Sequence, residues 1–74
     1  MTPAQCRAAR ALVGMSQDRL AEVSGVAKRT IASFEKDDRR PYDRTISALR
    51  SALESVGVEF IAENGAGAGV RLIK

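Results

Sequence analysis

The chain has 74 residues, 45% hydrophobic and 28% charged, with a net charge of +3, a composition that supports one small folded domain and excludes a disordered chain. Its single cysteine, Cys6, and its lack of histidine exclude an intrachain disulfide and a zinc site of ordinary ligand count, so no metal or other cofactor is expected. No stretch is long and apolar enough to cross a membrane, and "MTPAQCRAAR" contains no apolar signal segment, so the expected location is the cytoplasm, without a membrane partner.

Thr2, Pro3 and Gln5 read as an N-cap, a first-turn proline and a capping-box partner. The first helix then runs to about Val13 and stops at Gly14. Ser16 caps a short second helix, with Leu20 and Val23 as its apolar stripe, that ends near Ser24. Gly25 is placed to turn the chain through a left-handed conformation. A third helix is expected from about Ala27 to Lys36, with Ile31 and Phe34 inward and Arg29, Ala32, Ser33 and Lys36 outward. "DDRRPYD" reads as a loop, since Pro41 disfavours helix at Arg40, and Asp43 offers a cap for a fourth helix. That helix is expected to reach Val56, with Ile46, Leu49, Leu53 and Val56 on one side and Gly57 as its stop.

The tail differs in kind. "VEFIA" and "VRLI" are short and rich in β-branched residues, and "ENGAGAG" separates them, which predicts a β-hairpin turning at Asn64 and Gly65. The glycine-rich loop lacks the Lys-Ser/Thr ending of a phosphate-binding loop. The division expected is residues 1–57 as one domain and 58–74 as a C-terminal hairpin extension. A two-stranded hairpin is marginal alone in water. Val58, Phe60, Val70 and Leu72 would form one apolar face, and with the unpaired strand edge this predicts a dimer interface.

Charge is unevenly placed. Residues 1–40 carry eight Lys or Arg against five acids, and residues 41–74 carry four of each, which hints at a polyanionic partner of the first half. Two short helices joined by a tight turn form a helix-turn-helix arrangement. Counted from Gln17, a small residue stands fifth (Ala21), glycine ninth (Gly25), and apolar residues tenth, fifteenth and eighteenth (Val26, Ile31, Phe34). Ala21 lets the helices approach, Gly25 permits the turn, and the three apolar residues anchor the third helix while freeing its opposite face.

On these residues, and above all on "MSQDRLAEVSGVAKRTIASFE", the chain resembles the phage-repressor-type (Cro and C1, or XRE) helix-turn-helix family. The resemblance covers about residues 4–57 and implies a mainly α fold: a four-helix lambda-repressor-like domain, here followed by a β-hairpin. It implies binding of double-stranded DNA, with Lys28, Arg29 and Ser33 facing the major groove, where Lys or Arg pairs with guanine O6 and N7. Thr30, Lys36, Arg39 and Arg40 would contact phosphates, and Gln17 would contact a phosphate or steady the first base-reading side chain. Arg10 and Glu35 match a family pair that joins the first and third helices. Taken alone, adjacent cations at a helix start are most often solubility residues, and Arg39 and Arg40 could instead pair with Asp37 and Asp38. Cys6 reads as a small helix residue rather than a redox switch.

Two features depart from the family pattern. Ala27 replaces a Ser or Thr cap of the third helix, and the hairpin stands where a fifth helix often forms the dimer contact. The function expected is a sequence-specific transcriptional regulator, a repressor acting as a homodimer on a pseudo-palindromic operator in a bacterial or phage setting. The alternative is an antitoxin-like or adaptor protein whose main partner is a protein bound through the C-terminal strands. No arrangement of carboxylates or nucleophiles suggests an enzyme.

Overall fold

A computed structural model describes residues 1–73; Lys74, the last residue of the expected hairpin extension, lies outside the described residues. Four helices are followed by two strands: α1 (Pro3–Val13), α2 (Gln17–Ser24), α3 (Lys28–Glu35), α4 (Asp43–Glu54), β1 (Val58–Ile61) and β2 (Gly69–Leu72). The mainly helical four-helix fold with a C-terminal antiparallel hairpin is the one the sequence predicts.

Each helix boundary has a local cause. Thr2 accepts from the Gln5 amide at 3.1 Å and Gln5 Oε1 accepts from the Thr2 amide at 2.8 Å, which completes the capping box of α1. Ser16 accepts from the Arg19 amide at the start of α2. Gly25 ends α2 with φ at 76°, a left-handed conformation that costs a side-chain-bearing residue but not glycine. Ala27 sits at the N-cap of α3 in an extended conformation with no side-chain bond, as the missing hydroxyl implies. α3 stops by a device without glycine. Asp37 takes φ at 60°, which aspartate tolerates, and the Asp38 amide donates back to Ser33 O at 3.0 Å.

At α4 the structure corrects two expectations. Tyr42, not Asp43, holds the N-cap position, and Asp43 opens the helix, where its charge faces the positive end of the dipole. The helix ends at Glu54, so Val56 falls in the following turn and is exposed rather than on the apolar stripe. Gly57, with φ at 101°, then redirects the chain into β1 where an added Cβ would meet Ile73 O at 3.4 Å.

One core serves the whole chain. Cys6, Ala9, Leu20, Ile31, Phe34, Leu49, Leu53 and Val58 are buried together, with Phe60 and Val70 packed against them. The hairpin pairs Val58 with Leu72 and Phe60 with Val70, so these four share a face as expected. That face, however, lies on the chain's own helices: Val58 is 1% exposed and only Leu72 remains open, at 42%. Val58 is therefore spent on the chain's own core and Phe60 and Val70 are half-buried against it, because a small domain needs that apolar area for itself. The opposite face carries the cross-strand pair Arg71–Glu59 at 2.5 Å. Gln5, itself buried, joins the layers: its Nε2 donates to Ile61 O at 3.1 Å and to Gly69 O at 2.8 Å.

The uncapped start of α3 gives a stability test. Ala27→Ser restores a side-chain acceptor for the first turn in a backbone conformation that already suits a cap, and should stabilise by roughly 1 kcal/mol. Thermal unfolding followed by circular dichroism should show a rise of about 4–8 °C.

Candidate nucleic-acid interface

The two helices α2 and α3 meet around Leu20, Ile31 and Phe34, with Ala21 and Val26 packed against that cluster. Their connection is tightened by one side chain. Ser24 Oγ donates to Leu20 O at 2.6 Å and accepts from the Val26 amide at 3.2 Å, which satisfies backbone groups on both sides of the Gly25 turn.

The orientation of α3 is set from behind by Glu35. Its side chain is 3% exposed and accepts from Arg10 Nε and Nη2, both at 2.7 Å, from Gln17 Nε2 at 2.9 Å and from Cys6 Sγ at 3.1 Å. Arg10 also donates to Met15 O, and Arg7 to the Glu35 carbonyl. The carboxylate thus ties α1 and the start of α2 to the end of α3. Burial pushes the Glu35 carboxyl up, but the bonds from Arg10, Gln17 and Cys6 outweigh it and hold the group below the usual range. The Arg10 guanidinium is raised, chiefly by its bond to Glu35. Burial, and the bond to Glu35, push the Cys6 thiol up to about 12. Cys6 is thus a protonated donor in the core, not a reactive thiolate.

Facing away from this network is a basic surface. Arg29, Thr30, Ser33, Arg39 and Pro41 line an open concavity of about 280 Å³. Beside it, Thr30, Arg39, Arg40, Pro41, Tyr42 and Thr45 line another of about 450 Å³. The two share Thr30, Arg39 and Pro41, so they form one trough between α3 and the loop that follows it. Among the described residues Arg29 and Arg39 have no carboxylate within ion-pair distance. Arg40 pairs with Asp43 at 3.2 Å and Lys36 with Asp38 at 3.5 Å, both in exposed pairs that water weakens. Among the described residues neither Arg39 nor Arg40 takes the local pairing with Asp37 or Asp38 that the sequence left open: Arg40 turns to Asp43 instead, and Asp38 pairs with Lys36.

The trough gathers five of the residues singled out from the sequence: Arg29, Thr30, Ser33, Arg39 and Arg40. Lys28 is not among the residues lining the trough; its Nζ is 3.0 Å from Asp18 Oδ1. Gln17 departs from expectation. Its amide points inward to Glu35 rather than outward to a phosphate, because the buried carboxylate needs a further donor. Sequence reasoning also passed over Tyr42, Arg44 and Thr45. Tyr42 is 75% exposed, with the Arg44 guanidinium 5.2 Å from its ring centroid. The signal was there in "RRPYDRT", an aromatic set among arginines.

A short helix anchored by its apolar side, presenting arginines and hydroxyls on the other beside a basic loop, defines a helix-turn-helix DNA-binding unit. Residues 7–61 match the helix-turn-helix family, and the chain belongs to it, as a Cro/C1-type (XRE) member. Members of this family are DNA-binding transcription regulators, and so is this chain. No curated protein matches it. No helix of the described residues is long and apolar enough to cross a membrane.

The depressed Glu35 group makes stability pH-dependent. A carboxyl whose folded value lies below its unfolded one stabilises above the ordinary glutamate range, near about 4.3, and that contribution is lost as pH falls through the folded value. Glu35→Gln leaves Arg10 facing an amide and should cost roughly 3 kcal/mol at neutral pH. Unfolding curves of both proteins from pH 7 downward should show the gap between them shrinking below about pH 4, since only the wild-type chain loses this carboxylate.

Proposed function

We propose that this regulator is a sequence-specific repressor that binds a pseudo-palindromic operator as a homodimer, acting in the cytoplasm of a bacterial or phage-infected cell. The observation that carries the reading is the trough on α3, where, among the described residues, Arg29 and Arg39 stand free of carboxylates beside the hydroxyls of Thr30 and Ser33. With α3 in the major groove, Arg29 and Lys28 reach guanine O6 and N7, and Ser33 meets a neighbouring base edge. Thr30, Lys36, Arg39 and Arg40 hold phosphates and set the docking angle. Residues 1–57 carry this reading unit. Repression follows by occlusion of polymerase from the occupied operator.

One helix reads only a few base pairs, so a second copy is needed for useful discrimination. The hairpin supports such pairing at its edge rather than its face. The Ile73 amide donates to Gly57 O at 2.7 Å, so Gly57 and Ile73 form a hydrogen-bonded pair one step beyond the strands. By the alternation of antiparallel ladders, Val70 and Leu72 then aim their N–H and C=O groups outward from β2. The exposed side chains of Val56, Leu72 and Ile73 lie at that end of the hairpin. A two-fold axis beside β2 would join the two hairpins into one four-stranded sheet. The subunit, 31 Å in its longest extent, suits recognition helices spaced about 34 Å apart.

Selection of bound duplexes from a random pool should enrich a two-fold symmetric motif with half-sites about one turn apart. Recovery of unrelated sequences would refute sequence-specific operator binding. With about three cations on phosphates per subunit, the log–log slope of affinity against salt should be near −5 for the dimer. Sedimentation should give twice the chain mass for the wild-type protein and for Leu12→Glu, and the chain mass for Leu72→Glu. A dimeric Leu72→Glu protein would sink the edge-pairing model. Point substitution is the right probe, because deleting the hairpin would strip Val58 from the core.

A further inference from the structure

Asp18 is an acidic side chain beside the residues expected to touch a polyanion. It sits in the first turn of α2, and its partner Lys28 is the first residue of α3. Their 3.0 Å ion pair therefore bridges the two helices of the motif. The side chains are 75% and 56% exposed, and a pair so open to water contributes little to stability. Its consequence lies on the docking surface. A carboxylate there repels phosphates and so weakens binding to DNA of any sequence. What it gives in return is a fixed acceptor beside a fixed donor. Lys28 Nζ uses one of its three N–H bonds on Asp18, and the carboxylate keeps most of its lone pairs free.

In the major groove a guanine presents the acceptors O6 and N7, and its paired cytosine presents the N4 donor alongside. The Lys28–Asp18 pair has the complementary pattern, donor beside acceptor. A lone lysine would slide to a phosphate as readily as to a guanine, since its ammonium is a point charge without directional preference. Held by Asp18, it is partly neutralised as a phosphate ligand and kept toward the base edges. We propose that Asp18 is a specificity-determining residue of the interface: it accepts from a cytosine N4 amino group while Lys28 donates to the paired guanine, so that the ion pair reads one G·C pair per half-site. This inference rests on the operator-binding reading above and adds to it the identity of one base pair and the residue that imposes it.

The test compares the wild-type chain with Asp18→Ala and Lys28→Ala. The pair is exposed, so all three should unfold at nearly the same temperature. Each is put through selection from the random pool, and each is then titrated against the wild-type operator, the same duplex with one G·C pair changed, and an unrelated duplex. For the wild-type chain the changed duplex should bind about tenfold or more weakly. Asp18→Ala should lose that preference, to about threefold or less, while binding the unrelated duplex several-fold more tightly with a steeper salt dependence. Lys28→Ala should lose preference at the same position. The inference is overturned if Asp18→Ala keeps every base preference of the wild type, or if the two variants relax different positions. Failure of the wild-type chain itself to select any motif would remove the operator-binding reading and this inference with it; a selected motif unchanged by Asp18→Ala removes this inference alone.

Discussion

The structure turns on one buried carboxylate. Glu35 lies at the end of α3, almost without access to water, and draws donors from α1 and α2. A charge so placed is costly unless every lone pair is used, and here four donor bonds use them. The energetic consequence is geometric. The packing that α3 adopts brings Arg10, Gln17 and Cys6 together on the same two oxygens.

α3 could not set its own direction. At eight residues it is shorter than the length at which isolated helices hold together in water, and it lacks a side-chain cap. Its outward residues keep a fixed direction only because its inner ones are held, by Ile31 and Phe34 in the core and Glu35 in the polar network. The division of labour along one helix is plain: one stripe fixes position, and the other stays chemically open, with Arg29 free of acids among the described residues and the hydroxyls of Thr30 and Ser33 beside it in the trough.

Much of this was legible in the sequence. Thr2, Pro3 and Gln5, Ser16, Gly14 and Gly25 mark boundaries by short-range chemistry that hardly depends on the rest of the fold, and those boundaries hold. The offsets from Gln17 to Phe34 define the helix-turn-helix, and the Arg10–Glu35 pair stands where the family pattern implies. What was not legible depends on contacts between distant parts. The inward turn of Gln17 follows from a carboxylate 18 positions away. The covered face of Val58, Phe60 and Val70 follows from how α1 and α4 leave a slot for the hairpin. Asp37 ends α3 by a left-handed aspartate that composition does not announce, and Tyr42 takes a cap position that its own side chain does not fill. The pairing of Lys28 with Asp18 joins helices whose relative rotation no periodicity encodes.

Gln5 has a consequence for how the strands are aligned. Its amide nitrogen reaches two carbonyls at once, those of Ile61 and Gly69, which stand opposite each other in the ladder. A slip of β2 by one residue would part these two oxygens. It would also turn Val70 and Leu72 outward and swing Arg71 onto the core, since successive side chains of a strand face opposite ways. The loop from Glu63 to Ala68 is too rich in glycine to forbid such a slip by its own stiffness. The alignment is therefore gauged from outside the hairpin, by a side chain 64 positions from Gly69 whose other end is already committed to the first helical turn. The same glutamine that begins the helix serves as the reference mark against which the strands are set.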